Sequence, residues 1–305
     1  MRYRIKLKNV IKVLNCLYTK KAIFLFWVLP LSIHAQLIVN PSHKNLFKNL
    51  FSTSVLITLN DGSTGSGIIV DDSLKMFLVT ARHVLFTYDT INKKYKLKTN
   101  LINILLYRDD PLKENYITIS VQFKDTLDDS IVKFDKNHDI SVIFLAARYK
   151  ESTSMSLVHY LKQVTIDKHT SVGSITNKAV RLYADVTLGD NVYLCGFPTS
   201  LALKSMPQFD YTKPLLRKGI VAGKYEKLSS IIIDCPAYWG NSGGPVYEEN
   251  GEYLNEEMKL IGIVTEFIPA EENNYQKKNS IQYINSGYSI VVPIDYAFEL
   301  FRKFK

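Results

Sequence analysis

The hexapeptide Gly240-Asn241-Ser242-Gly243-Gly244-Pro245 sets a serine among glycines. A serine hydroxyl is a weak nucleophile; it attacks well only beside a base and a site that takes up an oxyanion. Glycine on each side lets the backbone bend until successive N–H groups aim at one spot, and here those groups belong to Gly240 and Ser242. On its own the string also fits a Gly-rich turn with an ordinary exposed serine. It matches G-x-S-x-G as well, the nucleophile elbow in which an acid and then a histidine follow the serine. The histidines are His34, His43, His83, His138, His159 and His169, and none follows Ser242. The base therefore has to come from upstream.

His83 stands at the end of Met76-Phe-Leu-Val-Thr-Ala-Arg-His83, where a strand runs into a short turn. An imidazole at a strand end is held rigidly while its ring faces a cleft. Asp139 immediately precedes the apolar run Ile140–Leu145. A carboxylate there can accept a bond from a histidine N–H and fix its tautomer. Taken singly, a structural histidine and an aspartate ending a loop are both ordinary. His138, beside Asp139, is assigned no role. No HExxH is present, and His159 and His169 are too far apart for one helix face. No Gly-rich phosphate loop or dinucleotide fingerprint appears. No metal and no cofactor are expected.

The elements around these residues read as short strands. Ser54–Leu59, Gly67–Val70, Met76–Thr80, Ile102–Tyr107, Tyr116–Phe123, Ile140–Leu145, Asn191–Gly196, Gly219–Gly223, Ile231–Cys235, Leu260–Thr265 and Tyr288–Val292 are rich in β-branched, aromatic and leucine side chains. Gly, Asp, Asn and Pro bound them. Strands spaced this way without regular helices between them point to all-β sandwiches or barrels. The helical exception is the C-terminus, where Ile294, Ala297, Phe298, Phe301 and Phe304 recur at spacings of three and four and form one apolar face. Segments 87–100 and 268–286 are polar and rich in Lys, Asn and Tyr, and read as surface loops.

The 305 residues are 46% apolar, with 19 Tyr, 15 Phe and 2 Trp, enough for a large core and against disorder. The net charge of +9 is misleading until it is located. Arg2, Arg4, Lys6, Lys8, Lys12, Lys20 and Lys21 lie in residues 1–35, which hold no acid. Without them the body is close to neutral and gives no bulk electrostatic case for nucleic acid. A charge-free run, Ala22–Ile33, follows the lysines and ends near Ala35-Gln36. A positive start, a short apolar stretch and a small exit residue describe a secretory signal over residues 1–35, with an uncleaved membrane anchor as the alternative. Export implies a periplasmic or secreted, oxidising setting. There Cys195 and Cys235 form one bridge or stand as two buried small apolar residues.

The order His, Asp, Ser, in Thr80-Ala-Arg-His83, His138-Asp-Ile-Ser-Val142 and Gly240-Asn-Ser-Gly-Gly-Pro245, resembles the trypsin-like (chymotrypsin-fold) serine peptidases. It is most similar to their bacterial exported branch, the HtrA-like and glutamyl-endopeptidase-like groups. Gly65-Ser-Gly67, Leu188–Pro198 and Leu260–Thr265 add to the likeness, which spans about residues 52–300.

The resemblance implies two six-stranded antiparallel β-barrels and a C-terminal helix. The halves would be residues 36–150 and 176–305, joined by 151–175. Ser242 would attack the scissile carbonyl, His83 would take and return the proton, and Asp139 would orient the ring. The amides of Gly240 and Ser242 would receive the oxyanion. The strand Thr265, Glu266, Phe267 would pair with a substrate strand, and residues from about Pro236 to Trp239, with Glu266 and Phe267, would wall the primary specificity pocket. A polypeptide is the implied partner. The alternative is an inactive member of the same fold that binds peptides or a partner surface.

Three departures stand out. Arg82 replaces the usual Ala before the histidine. Asn241 replaces the Asp that pairs with a freshly cut N-terminus, so no zymogen switch of that kind is expected. Pro236 stands where Arg/Lys specificity would need an acid. The residues after Val292 are too few for a regulatory module such as HtrA enzymes carry, so none is expected.

Overall fold

The structure is a computed structural model that describes residues 49–107, 116–124, 131–148, 158–160, 162–165, 172–199, 206–208, 210–250, 257–274 and 280–304. The expected leader lies outside the described residues, as does much of the 151–175 connection.

In the first half the strands are β1 (Ser54–Leu59), β2 (Thr64–Asp72), β3 (Lys75–Thr80), β4 (Phe86–Asp89), β5 (Lys94–Leu97), β6 (Leu101–Tyr107) and β7 (Tyr116–Gln122). They continue with β8 (Val132–Phe134), β9 (Ser141–Arg148), β10 (Val158–Tyr160), β11 (Val164–Thr165) and β12 (Ile175–Thr176). The main ladder runs β10-β9-β3-β2-β1-β6-β7-β11, with β8 on β9 and β12 parallel to β2. Period-two patterning is clearest in β7, where Ile117, Ile119 and Val121 are buried and Tyr116, Thr118 and Gln122 are exposed.

The second half comprises β13 (Asn191–Gly196), β14 (Leu215–Tyr225), β15 (Ser230–Asp234), β16 (Pro245–Asn250), β17 (Glu257–Asn274) and β18 (Ser280–Pro293). These close into a six-stranded barrel, β13-β14-β15-β18-β17-β16. The protein is thus all-β with one C-terminal helix. The halves differ in closure: the first is a curled ten-stranded sheet whose end strands β10 and β11 are two or three residues long and do not pair with each other among the described residues.

β2 and β3 are buried on both faces, from Ile68-Ile69-Val70 to Phe77-Leu78-Val79. One face fills the sheet's concave core. The other is covered by the C-terminal helix Asp295–Phe301, which follows the second barrel in sequence but packs on the first half. Ile294, Ala297, Phe301 and Phe304 are buried there, and Phe298 packs at the edge. Phe77 stacks on Phe301 with centroids 4.2 Å apart and meets Phe304 at 5.3 Å. The terminal stripe therefore straps the two halves together. Phe77→Ala empties the centre of this cluster and is expected to lower the unfolding free energy by about 3–5 kcal/mol, read from urea denaturation.

Two segments read as loops are ordered differently. Residues 87–100 contain the hairpin β4–β5, paired from Phe86–Leu97 to Asp89–Lys94. Its polar alternation hid it, because only its end residues Phe86 and Leu97 enter the main core, while Phe86 and Tyr95 also pack on Phe134. Residues 268–274 and 280–286 prolong β17 and β18 beyond the barrel as far as the pair Asn274–Ser280.

The halves also meet through polar contacts. The Tyr247 hydroxyl and Thr53 Oγ1 lie 2.9 Å apart in a buried position. Within the second half, Arg181 Nη1 donates to the fully buried Glu248 carboxylate at 2.7 Å, and Thr187 N–H supports the same group at 2.9 Å. Cys195 and Cys235 are free and buried. Burial pushes their thiols up, to about 12 and about 11, so neither is a reactive thiolate at neutral pH.

Candidate active site

The strand β3 ends at Thr80, and the single helical turn Arg82–Leu85 begins directly after it. Val84 and Leu85 bury themselves in the core, which leaves the His83 side chain pointing outward, about half exposed. Asp139 arrives from the loop between β8 and β9. That loop is closed internally: Asp135 N–H donates to Ile140 O at 3.0 Å, and the Asp135 carboxylate accepts the Asn137 and His138 N–H groups at 2.8 Å each.

Asp139 grips the turn at two points. Its Oδ2 lies 2.5 Å from His83 Nδ1, and its Oδ1 accepts the His83 backbone N–H at 2.9 Å. This bidentate contact makes Nδ1 the protonated nitrogen and leaves Nε2 as the free, basic one. Burial works against ionising Asp139. The hydrogen bond and charge of His83, its backbone N–H and the charge of Arg82 outweigh that cost, and hold the carboxyl below its ordinary value of 3.8.

Ser242 comes from the second barrel, on the turn that leads into β16. Gly240 and Gly243 have φ of +95° and +87°, the left-handed region that glycine enters without strain. A Cβ on Gly240 would collide with the Phe197 carbonyl, and one on Gly243 with the Ser66 carbonyl and the Thr80 hydroxyl. The turn is pinned on all sides. Gly243 N–H donates to Val264 O at 2.7 Å, and Ser66 N–H donates to Ser242 O at 2.8 Å. The Ser66 hydroxyl donates to Gly240 O at 2.7 Å and accepts Phe197 N–H at 2.9 Å. Asn241 is spent inside the turn: its Oδ1 accepts Tyr238 N–H at 3.0 Å while its own N–H donates to Tyr238 O at 2.8 Å.

With those bonds made, two donors are left over. Among the described residues, no acceptor takes the N–H of Gly240 or of Ser242. Paired free amides beside a hydroxyl form a site for a negatively charged oxygen. Gly243→Ala is expected to cut turnover at least about a hundredfold, because the added methyl forces the turn away from Ser66 and displaces both amides; steady-state kinetics on a folded variant measures it.

His83, Asp139, Gly240 and Ser242 line one open cleft of about 740 Å3 between the halves. Its other walls include Thr265, Glu266, Phe267 and Trp239, all expected from the sequence. Pro236 is not among the lining residues. Ala237 and Tyr238, within the expected wall, are; so are Arg82 and the hairpin side chains Tyr88 and Tyr95, which sequence reasoning did not assign to the site. The hairpin was the missing signal, since a strand pair directly after His83 has to overhang the cleft. His138 faces elsewhere: its ring bonds Asp135 at 3.0 Å and stacks on Tyr296 at 3.5 Å.

One contact differs from the expected arrangement. The Ser242 hydroxyl donates to Thr265 O at 3.2 Å and makes no hydrogen bond to His83. Thr265 sits at a bulge of β17, between the pairs Val264–Val291 and Glu266–Ile290, and past the end of the β16 ladder. Its carbonyl is therefore open to the cleft.

The family model for the trypsin-like peptidase domain matches residues 65–254, well over half of the chain. The chain belongs to the trypsin-like peptidase family. Among solved structures, this peptidase domain is similar to a crystal structure of Deg5, with 17% identity, 84% of this chain and 90% of that chain covered, and a TM-score of 0.48. It is similar to the serine endoprotease from Yersinia pestis, with 15% identity, coverage of 87% and 67%, and a TM-score of 0.47. A third is the HtrA-type protease AlgW with a tripeptide, at 17% identity, coverage of 86% and 63%, and a TM-score of 0.49. No curated protein matches the chain. Membership in the family makes this a serine-protease fold with peptides as the implied substrate class.

Proposed function

We propose that this trypsin-like peptidase is an exported serine endopeptidase in which Ser242 is the nucleophile, His83 the general base and acid, and Asp139 the group that orients the imidazole. The observation that carries the reading is the convergence in one cleft of the His83–Asp139 contact, the Ser242 hydroxyl and two unengaged amides.

In the first step Ser242 Oγ bonds to the scissile carbonyl carbon while its proton moves to His83 Nε2. The carbonyl oxygen takes up the charge and lies against the Gly240 and Ser242 amides. The C–N bond then breaks, and the proton passes from His83 to the leaving amine, which leaves an acyl-enzyme. Water, deprotonated by the same nitrogen, hydrolyses the ester and restores Ser242.

The Ser242–Thr265 hydrogen bond has a place in this scheme. The open edge of β17 from Thr265 to Phe267 is where a substrate strand would add by backbone pairing. A substrate N–H bonding Thr265 O displaces the serine proton from that carbonyl and frees it for Nε2. Hydrogen bonds of this kind tighten only when substrate is bound.

The same contact favours a second reading, in which the cleft binds peptides without cutting them. Turnover of an internally quenched peptide library separates the two. Cleavage lost in Ser242→Ala supports the peptidase; binding of the library by folded wild type with no cleavage supports the binding module. The proposal of export rests on the basic, then apolar composition of residues 1–35. Among the described residues no helix is long and apolar enough to cross a membrane.

A further inference from the structure

We propose that Arg82 is a positioning residue that holds the Asp139 loop against His83; this rests on the roles given above to those two residues. Arg82 departs from the small residue usual before the histidine, and its side chain does not point at the reacting atoms. It crosses to the loop between β8 and β9. There a single guanidinium nitrogen, Nη1, donates to the carbonyls of Asp135 at 2.6 Å, Lys136 at 3.0 Å and His138 at 3.1 Å. That nitrogen carries two hydrogens, so three carbonyls share them around one positive charge.

The rest of the guanidinium is fixed too. Its centre lies 4.4 Å from the Tyr95 ring, within range of a cation–π contact. Tyr95 is wedged between Phe134, at 5.2 Å, and Tyr88, at 5.0 Å. The hairpin β4–β5 therefore presses the arginine into the loop. Among the described residues no carboxylate forms an ion pair with Arg82. Its charge is met by carbonyl dipoles, and the ionised form of nearby Asp139 gains from it.

The loop's outer side is held separately, by Asp135 and by His138 on Tyr296. Arg82 is thus the inner clamp. Its backbone neighbour is His83, and the last carbonyl it holds belongs to the residue before Asp139. Without it, the Asp135 and Lys136 carbonyls lose this donor, His138 O keeps only the Ile140 N–H at 2.9 Å, and the three oxygens converge with no positive charge between them. The loop opens on the side where Asp139 meets the imidazole, while the substrate edge on β17 stays in place.

The test compares wild type with Arg82→Ala and Arg82→Lys on the full chain. Circular dichroism checks the fold. Steady-state kinetics on a quenched peptide gives kcat and KM. Proton NMR follows the far-downfield imidazole N–H resonance, assigned by its absence in His83→Ala.

For Arg82→Ala the expected result is a kcat lower by about tenfold to a hundredfold, with KM within about twofold, and a weakened or lost downfield resonance. Arg82→Lys restores part of both, since an ammonium meets carbonyls but lacks the planar fork and stacks less well. Unchanged kcat and an intact resonance in folded Arg82→Ala overturn the proposal, and so does a loss confined to KM. If Arg82→Ala does not fold, Arg82→Lys decides by the same two readouts: a severalfold lower kcat with a damped resonance supports the clamp, and wild-type values overturn it. The resonance needs no turnover, so an inactive wild type would count against the peptidase reading while leaving the clamp testable.

Discussion

Ser242→Ala is expected to lower peptide hydrolysis by roughly 10⁴- to 10⁶-fold while leaving the fold and peptide binding intact. The size of the effect follows from the role. Removing Oγ deletes the atom that bonds to the substrate carbon. The other serine and threonine hydroxyls of the cleft, on Ser63, Thr64 and Thr265, bond to Asp61, Thr199 and Ile290, and the thiols of Cys195 and Cys235 are buried and held protonated. What remains is the pull of the Gly240 and Ser242 amides on a water-attacked carbonyl. The fold survives because the hydroxyl's one hydrogen bond, to Thr265 O, is not among those that pin the turn. Those run through Ser66, Val264 and Tyr238. Peptide binding by the variant, measured by fluorescence anisotropy, is expected to stay within a few-fold of wild type.

Asp139→Asn is expected to lower kcat about ten-thousandfold with little change in KM. An amide nearly matches the carboxylate in shape, so the backbone N–H of His83 keeps a partner. The other contact changes sign. An Asn side chain presents either an N–H, which forces Nδ1 to become the acceptor and puts the proton on Nε2, or an oxygen without the charge that steadies an imidazolium. Stability tells the same story. The folded-state pKa of Asp139 lies below its ordinary value of 3.8, so the carboxylate contributes stability at pH values above that point. That contribution is lost as pH falls through the folded-state pKa. The difference in urea midpoint between wild type and Asp139→Asn is expected to shrink as pH is lowered from neutral to below 3.8. Equal kcat values for the two proteins would remove Asp139 from the mechanism.

The residues that point to chemistry were legible because their local signals are short-range. The Gly-Asn-Ser-Gly-Gly turn needs positive φ at two positions, and glycine announces that in the sequence. His83 at a strand end and Asp139 before an apolar strand are likewise local patterns. The terminal stripe Ile294, Ala297, Phe298, Phe301 was legible by its helical period, although its docking site on Phe77 was not. Other features were not legible because they depend on distant partners. The hairpin after His83 has polar, lysine-rich strands, and what orders it is the burial of Phe86 and Leu97 and the contacts of Phe86 and Tyr95 with Phe134, a distant position in the chain. Arg82 was legible only as a departure before the histidine, since nothing in the chain order says that three carbonyls wait at residues 135–138. The contact of Ser242 with Thr265 depends on a bulge in β17, which no pattern of residue types marks. Closure of the first sheet differs from the second for the same reason: it turns on the brief end strands β10 and β11, whose pairing the sequence pattern does not specify.

The most direct test of the whole account is chemical. Folded wild-type protein is treated with a fluorophosphonate, and the adduct is mapped by tandem mass spectrometry. The predicted result is a single adduct on Ser242, lost in Ser242→Ala and strongly slowed in His83→Ala. A folded protein that stays unlabelled, or one whose adduct lies on another residue, would contradict it.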